Sequence, residues 1–307
     1  MNRRRITDIF QIDSPLTLWG EVNKIFPLIS PGVQTDSLHR IFNSVNNLYH
    51  GNYPGYRACN TGYHDFSHAT AAFLAMARLI HGAAIDGAVF SASDVVAGLT
   101  AAILHDAGYI QDADDREGTG AKHKAIHEQR SMDFLSRHGK SFGLSAEEIS
   151  AGRSIIRCTD MQTDIGSISF ASRQAEFLGK ILAAADLLAQ LSDPLYLEKL
   201  LYLYHECREA GTGSYTTEAD ILIKAPPFYD VFEDRLKLLM IKTDRYLKLH
   251  FASRSHGDEN LYRVAIEKHK HYLENILSSK DADPYDHLRR GGIVETVRRK
   301  YRNQDGE

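Results

Sequence analysis

Apolar residues return at every third or fourth position through most of the chain, the repeat of an amphipathic helix. After Pro15, TLWGEVNKIF carries such a face, and SLHRIFNSVNNLYH repeats it at Leu38, Ile41, Val45 and Leu48. The same spacing joins Phe73, Met76, Ala77 and Ile80, and then Val95, Leu99, Ala102 and Ile103. SAEEIS reads as a helix start, with Ser145 as cap and Glu148 three residues on. EFLGKILAAADLLAQL is nearly apolar, Pro194 opens its successor, and segments around 228–250 and 257–279 continue the pattern. GNYPGY, DDREGTG, GTGSYT and KAPP supply turns between these runs. ADILIKAPP is the one stretch that reads as a short strand. With no internal repeat or low-complexity linker, the pattern predicts a single all-α domain over residues 1–307, built of about ten helices.

Composition narrows the class of protein without naming a chemistry. Apolar residues make up 43% and charged residues 25% of the 307, ordinary for a folded chain. The net charge of −4 leaves no basic field to recruit nucleic acid. The start, MNRRRITDIF, is basic but is not followed by an apolar stretch of secretory length. No segment approaches the roughly 18 consecutive apolar residues of a membrane span. Cys59, Cys158 and Cys207 are isolated and odd in number, which predicts reduced thiols. The expectation is a soluble, cytoplasmic protein with neither a nucleic-acid nor a membrane partner. The locally basic LRRGGIVETVRRKYRNQDGE reads as a solvated last helix and a frayed tail.

Three segments place acids and imidazoles where apolar periodicity predicts a core. In TGYHDFSHATAAF, His64 and His68 stand at i, i+4 on one helix face. In TAAILHDAGY, His105 and Asp106 close an apolar helix beside Gly108. Asp186 sits inside ILAAADLLAQL, where an unpaired buried carboxylate would cost several kcal/mol. It must reach solvent, a cation or a metal. Fifteen histidines make any one of these coincidences ordinary. Together they provide three imidazoles and two carboxylates, donors suited to zinc, iron or manganese.

The order H…HD…D on helices resembles the HD superfamily of metal-dependent phosphohydrolases, and within it the class I cyclic-nucleotide phosphodiesterases. GYHDFSHA resembles their Y-H-N-x-x-H-A segment, AAILHDAGY their apolar helix ending in H-D, and RCTDMQ their A-T-D-M-S. AAADLLAQLSDPLYLEKL resembles their A-D-L-S-N-P…L-E-L. The matches fall in the family's order across about residues 60–200, and residues 201–307 would complete the pocket. The resemblance implies a compact helical bundle in which His68, His105, Asp106 and Asp186 hold a first metal (zinc, iron or manganese). Asp106 would bridge to a second, magnesium or manganese, and His64 would be the general acid. It also implies supporting roles for Asp65, Tyr109, His127, Glu128 and Asp160, of which Asp160 serves the local structure as readily as the metal surroundings. Met161 reads as core packing and His123 as exposed. His205, His250, His269 and His271 read as surface or satisfied residues.

Three departures bear on substrate. The family's asparagine in Y-H-N is Asp65 here, which places a negative charge beside the proposed acid. The last histidine of H-D-x-x-H is Tyr109, whose phenol can still donate to a metal-bound water. The glutamine that clamps the purine ring has no counterpart, since none occurs between Gln190 and Gln304. Phe228, Tyr229 and Phe232, entered through Pro226 and Pro227, are candidates to wall the pocket instead, although three aromatics before a helix more often read as core. The expected partner is a small phosphorylated substrate, most simply a cyclic nucleotide. An HD hydrolase of another nucleotide or phosphomonoester, and a degenerate nucleotide-binding sensor, stand as alternatives. A P-loop NTPase and a serine hydrolase lack their motifs here.

Overall fold

Helix caps written in the sequence set many of the observed boundaries. The structure is a computed structural model that describes residues 14–32, 35–213, 215–278 and 284–301. Both MNRRRITDIF and the tail after Tyr301 lie outside the described residues. Ser14 caps α1 (Pro15–Ile29) by accepting the Thr17 amide, and α2 spans Asp36–Tyr49. Asp65 caps α3 (Phe66–Ile85), and reciprocal capping boxes open α4 (Ala92–Leu104) at Ser91 and α6 (Ala146–Arg157) at Ser145. Between the last two lies α5 (His127–His138), and Ser172 caps α7 (Arg173–Ser192).

Next come α8 (Tyr196–Glu209), α9 (Glu218–Ile223), α10 (Pro226–Leu239), α11 (Thr243–Ser253), α12 (Leu261–Ser278) and α13 (Ile293–Tyr301). The described residues therefore hold thirteen helices and no strand. The all-α expectation holds, and the helix number exceeds it for two physical reasons. Met240 adopts a left-handed conformation (φ 51°) that divides the 228–250 segment into α10 and α11. ADILIK is the other: Thr217 accepts the Asp220 amide as an N-cap, and the segment becomes α9, with Ile221 and Leu222 buried against α8.

Helices α3 and α7 form the centre. Each packs on the other and on α4; α3 also meets α1 and α11, while α7 meets α6 and α12. By length and hydropathy α3 could cross a membrane, but 83% of that window is buried inside the fold. Its contact with α11 is close enough that a Cβ on Gly82 would stand 1.8 Å from the Tyr246 carbonyl oxygen. The two central helices thus deliver His68 and Asp186 from a packed core, where side-chain rotamers have little freedom.

Candidate metal centre and its cavity

Four side chains from three places in the chain converge at the floor of one cavity. His68 comes from the first turn of α3, His105 and Asp106 from the C-terminal end of α4, and Asp186 from the middle of α7. The Nε2 atoms of His68 and His105 are 3.3 Å apart, and each is 3.3 Å from Asp106 Oδ2. Asp186 Oδ1 lies 3.0 Å from His68 Nε2 and 3.4 Å from His105 Nε2. A cation about 2.1 Å from its ligands has neighbouring ligand atoms about 3.0 Å apart in an octahedron and about 3.4 Å in a tetrahedron. The His–His and His–Asp spacings fall in that range. His68, His105 and Asp106 form a group that could hold a cation, and Asp186 stands against both of its histidines.

The protons agree with that fit. His105 donates through Nδ1 to the Ala102 carbonyl at 2.9 Å, which turns Nε2 into the cluster. Asp106 is 2% exposed, and its Oδ2 faces the Nε2 atoms of His68 and His105, each at 3.3 Å. A buried carboxylate oxygen so placed calls for a cation, an imidazolium or a metal ion. Burial pushes the Asp106 carboxyl up, but the imidazoles of His105, His64 and His68 outweigh it and hold the acid well below its ordinary range. Asp186 is lowered in the same way, against burial, chiefly by His105 and His68. His105 moves in the opposite sense: burial disfavours its cation, but Asp106 and Asp186 raise it well above the ordinary value.

The turn that carries His105 and Asp106 is clamped by α5. Ser131 Oγ donates to the His105 carbonyl at 2.6 Å and accepts the Gly108 amide at 2.8 Å. Arg130 donates to the carbonyls of Gly108 and Ile110. The approach needs a glycine, because a Cβ on Gly108 would lie 1.9 Å from the His127 carbonyl oxygen. This contact brings His127 Nε2 to 3.5 Å from Asp106 Oδ1, the oxygen on the far side of the carboxylate. His127 Nδ1 donates to the Lys124 carbonyl at 2.7 Å and lies 3.2 Å from Glu128. Burial lowers His127 and raises Glu128.

His64 stands next to the cluster without joining it. Its Nδ1 is 2.5 Å from Glu206 Oε2, and Glu206 Oε1 accepts the Tyr63 amide at 2.7 Å. Glu206 is 3% exposed; burial raises it, but the His64 charge, the His64 hydrogen bond and the Tyr63 amide bring it below its ordinary value. The carboxylate beside His64 is therefore Glu206 of α8. Asp65 is spent elsewhere: its Oδ1 accepts the His68 amide at 2.9 Å and the Ser67 hydroxyl at 2.6 Å as the cap of α3. Tyr109 stacks between His64 and His127, with centroids 4.3 and 4.5 Å away. Its hydroxyl has no partner among the described residues, and burial raises it well above its ordinary value.

The cavity above these groups has a volume of about 510 Å³. Its polar end holds His64, His68, Asp106, Asp186, His127 and Glu128, and its apolar wall includes Leu187, Leu200, Ile221 and Phe228. Of the three candidate aromatics, Phe228 alone faces the space. Tyr229 and Phe232 are buried core residues; Tyr229 backs Tyr196, a wall residue, with ring centroids 6.4 Å apart. Asp160 lies at the rim, where its carboxylate accepts the Gln162 amide and the Thr163 hydroxyl, so it serves the local turn. Met161 is no core residue. It follows α6 in a turn, lines the cavity and is 40% exposed. His123 is half-buried against Asp115 at 3.4 Å instead of exposed.

The remaining histidines are satisfied or exposed as expected. His205 meets Glu218, His250 meets His81 and His269 meets the Leu191 carbonyl, while His271 is on the surface. All three cysteines are free thiols. Sequence reasoning missed Glu206, Ser131 and Lys124. Glu206 had the same signal as Asp186, an acid among apolar helical positions, but LYLYHECRE hides it among other polar residues.

No curated protein matches the chain. The family model described as Npun_R2479-like matches residues 54–250, a span that contains His64, the four clustered donors, His127 and Glu206. That span is more than half of the 307 residues, and the chain belongs to the Npun_R2479-like family.

Proposed function

We propose that the chain is a metal-dependent phosphohydrolase of the HD type that cleaves a phosphodiester, a cyclic nucleotide being the simplest such substrate. One observation carries this reading: two imidazole nitrogens lie 3.0–3.4 Å from each other and from a carboxylate oxygen of Asp106 and of Asp186, beneath a cavity large enough for a nucleotide. His68, His105, Asp106 and Asp186 would hold a zinc, iron or manganese ion, and Asp106 Oδ1, on the His127 side, would face a second, magnesium or manganese. Such ions supply an activated water and a clamp on the phosphoryl oxygens.

The protein's own part is proton management and positioning. Glu206 holds His64 Nδ1, so the ring presents Nε2 to the departing alcohol. As the oxygen of water joins phosphorus and the ester P–O bond breaks, the Nε2 proton passes to the leaving oxygen. Tyr109 and His127 stack behind His64 and keep its plane in place. A thiolate nucleophile is disfavoured, since burial raises the wall residue Cys207 above its ordinary value. The complete donor set argues against a degenerate sensor. Within this reading the substrate is a small soluble phosphoester in the cytoplasm.

A paired-substrate assay tests the proposal. Protein loaded with Mn²⁺ or Mg²⁺ is given bis-p-nitrophenyl phosphate and p-nitrophenyl phosphate, then cyclic AMP and cyclic GMP. Diester turnover with a ring-opened monophosphate as product is expected. Turnover of the monoester alone would replace the diester reading by a phosphomonoesterase, and no turnover by metal-loaded protein would sink the hydrolase reading.

A further inference from the structure

The cavity wall carries two cationic side chains, Lys124 and Lys224, facing an acidic floor. Lys224 is 44% exposed, sits 3.7 Å from Asp220 and lies over the Tyr215 ring. Lys124 is different. It is half-buried, and no carboxylate of the described residues stands within ion-pair distance of it. Its backbone is fixed, because its carbonyl accepts His127 Nδ1 and its 3-10 turn, Gly120–Ile126, packs on α8. That helix carries Glu206, the partner of His64, and Lys124 and His64 line the same cavity; the Lys124 charge lowers both Glu206 and Cys207. A partly desolvated ammonium facing a cavity is stabilised by an anionic ligand.

We infer that Lys124 binds a second anionic group of the substrate, carried by the alcohol that leaves with the His64 proton. This rests on the phosphodiesterase reading and names its substrate class: a diester whose leaving portion bears its own phosphate, such as a 5′-phosphorylated linear dinucleotide. In that reaction water adds to the bridging phosphorus, the bond to the 3′ oxygen breaks, and that oxygen takes the proton from His64. One pApA and one water give two AMP. Lys124 transfers no proton; it selects and positions the charged alcohol.

The matched pair pApA and ApA, which differ only in the 5′-phosphate, isolates this contact. Metal-loaded wild type is expected to favour pApA by about tenfold or more in kcat/KM, the scale of a hydrogen bond to a charged group, mostly through KM. Lys124→Met should erase that preference, bringing pApA to the kcat/KM of ApA in the same variant, and Lys124→Arg should keep part of it. Equal kcat/KM values in wild type, or a preference that survives in Lys124→Met, would overturn the inference. If neither dinucleotide is cleaved, the diesterase reading fails on its own. Calorimetric titration of metal-loaded protein with the same pair then decides Lys124. Tighter pApA binding lost in Lys124→Met upholds its role, and equal or absent binding refutes it.

Discussion

The proposed function gives His64 and His68 separate duties, and substitution should divide them. The expected shared helix face does not form: α3 begins at Phe66 after its Asp65 cap, so His68 lies in its first turn and His64 in the preceding bend. His64→Ala is expected to keep its metal and lose turnover by about 10²–10⁴-fold, the usual range for general acid–base catalysis. Glu206→Gln preserves the acceptor for the Tyr63 amide but removes the charge behind the ring. Turnover should then fall by about 10–100-fold with metal content unchanged. A Glu206→Gln protein with wild-type turnover would show the pair to be structural. His105 makes metal uptake pH-dependent. Asp106 and Asp186 raise it well above its ordinary value, so without metal it holds a proton more tightly than a free imidazole. Metal binding must displace that proton, and affinity should rise with pH. Calorimetry in buffers of different ionisation enthalpy reads the released proton directly; uptake with no proton release would contradict the assignment.

At the scale of elements, the site depends on how closely α5 and the end of α4 approach. Gly108→Ala forces a methyl group against the His127 carbonyl. It should cost about 1–3 kcal/mol in overpacking and lower activity more than stability alone explains, because the Asp106–His127 contact opens. Denaturant unfolding and turnover measured on the same preparation check this. A second contact, between α3 and α11, places His81 Nδ1 2.9 Å from His250 Nδ1 in the core. Burial, then Arg78, brings His250 down to about 2, whereas the unfolded chain protonates it near 6.5. The unfolded state therefore binds the extra proton, so stability is full above about pH 6.5 and falls as pH drops toward the folded value. His250→Gln should lessen that slope by up to about 1.4 kcal/mol per pH unit between pH 6 and 4. An unchanged slope in denaturant midpoints would refute it.

Across the whole molecule, what the sequence made legible followed from period and chemistry. The five residues His64, His68, His105, Asp106 and Asp186 stood out because each flanks or interrupts an apolar helical run; the fold brings four of them to one cavity, with His105 buried against the cluster behind it. Glu206 stayed hidden because LYLYHECRE surrounds it with other polar residues, and its pairing with His64 spans 142 residues, which periodicity does not encode. Asp65 drew attention as a neighbour of His64 in sequence, but an aspartate before a helix is first an N-cap. Tyr229 and Phe232 looked equivalent to Phe228, yet a helix sends neighbouring residues in different directions and successive turns to different depths. ADILIK shows the same limit: its apolar run is too short for period to separate strand from helix, and Thr217 decided it.

The central claim is that His68, His105, Asp106 and Asp186 hold a catalytic cation while His64 does not. Metal content by plasma mass spectrometry, measured side by side on wild type, His68→Ala and His64→Ala after reconstitution, tests it most directly. At least one transition metal per chain is expected in wild type and in His64→Ala, with His68→Ala losing it. A wild type that stays metal-free, or a His68→Ala protein that binds as much metal as wild type, would contradict the assignment of this cluster.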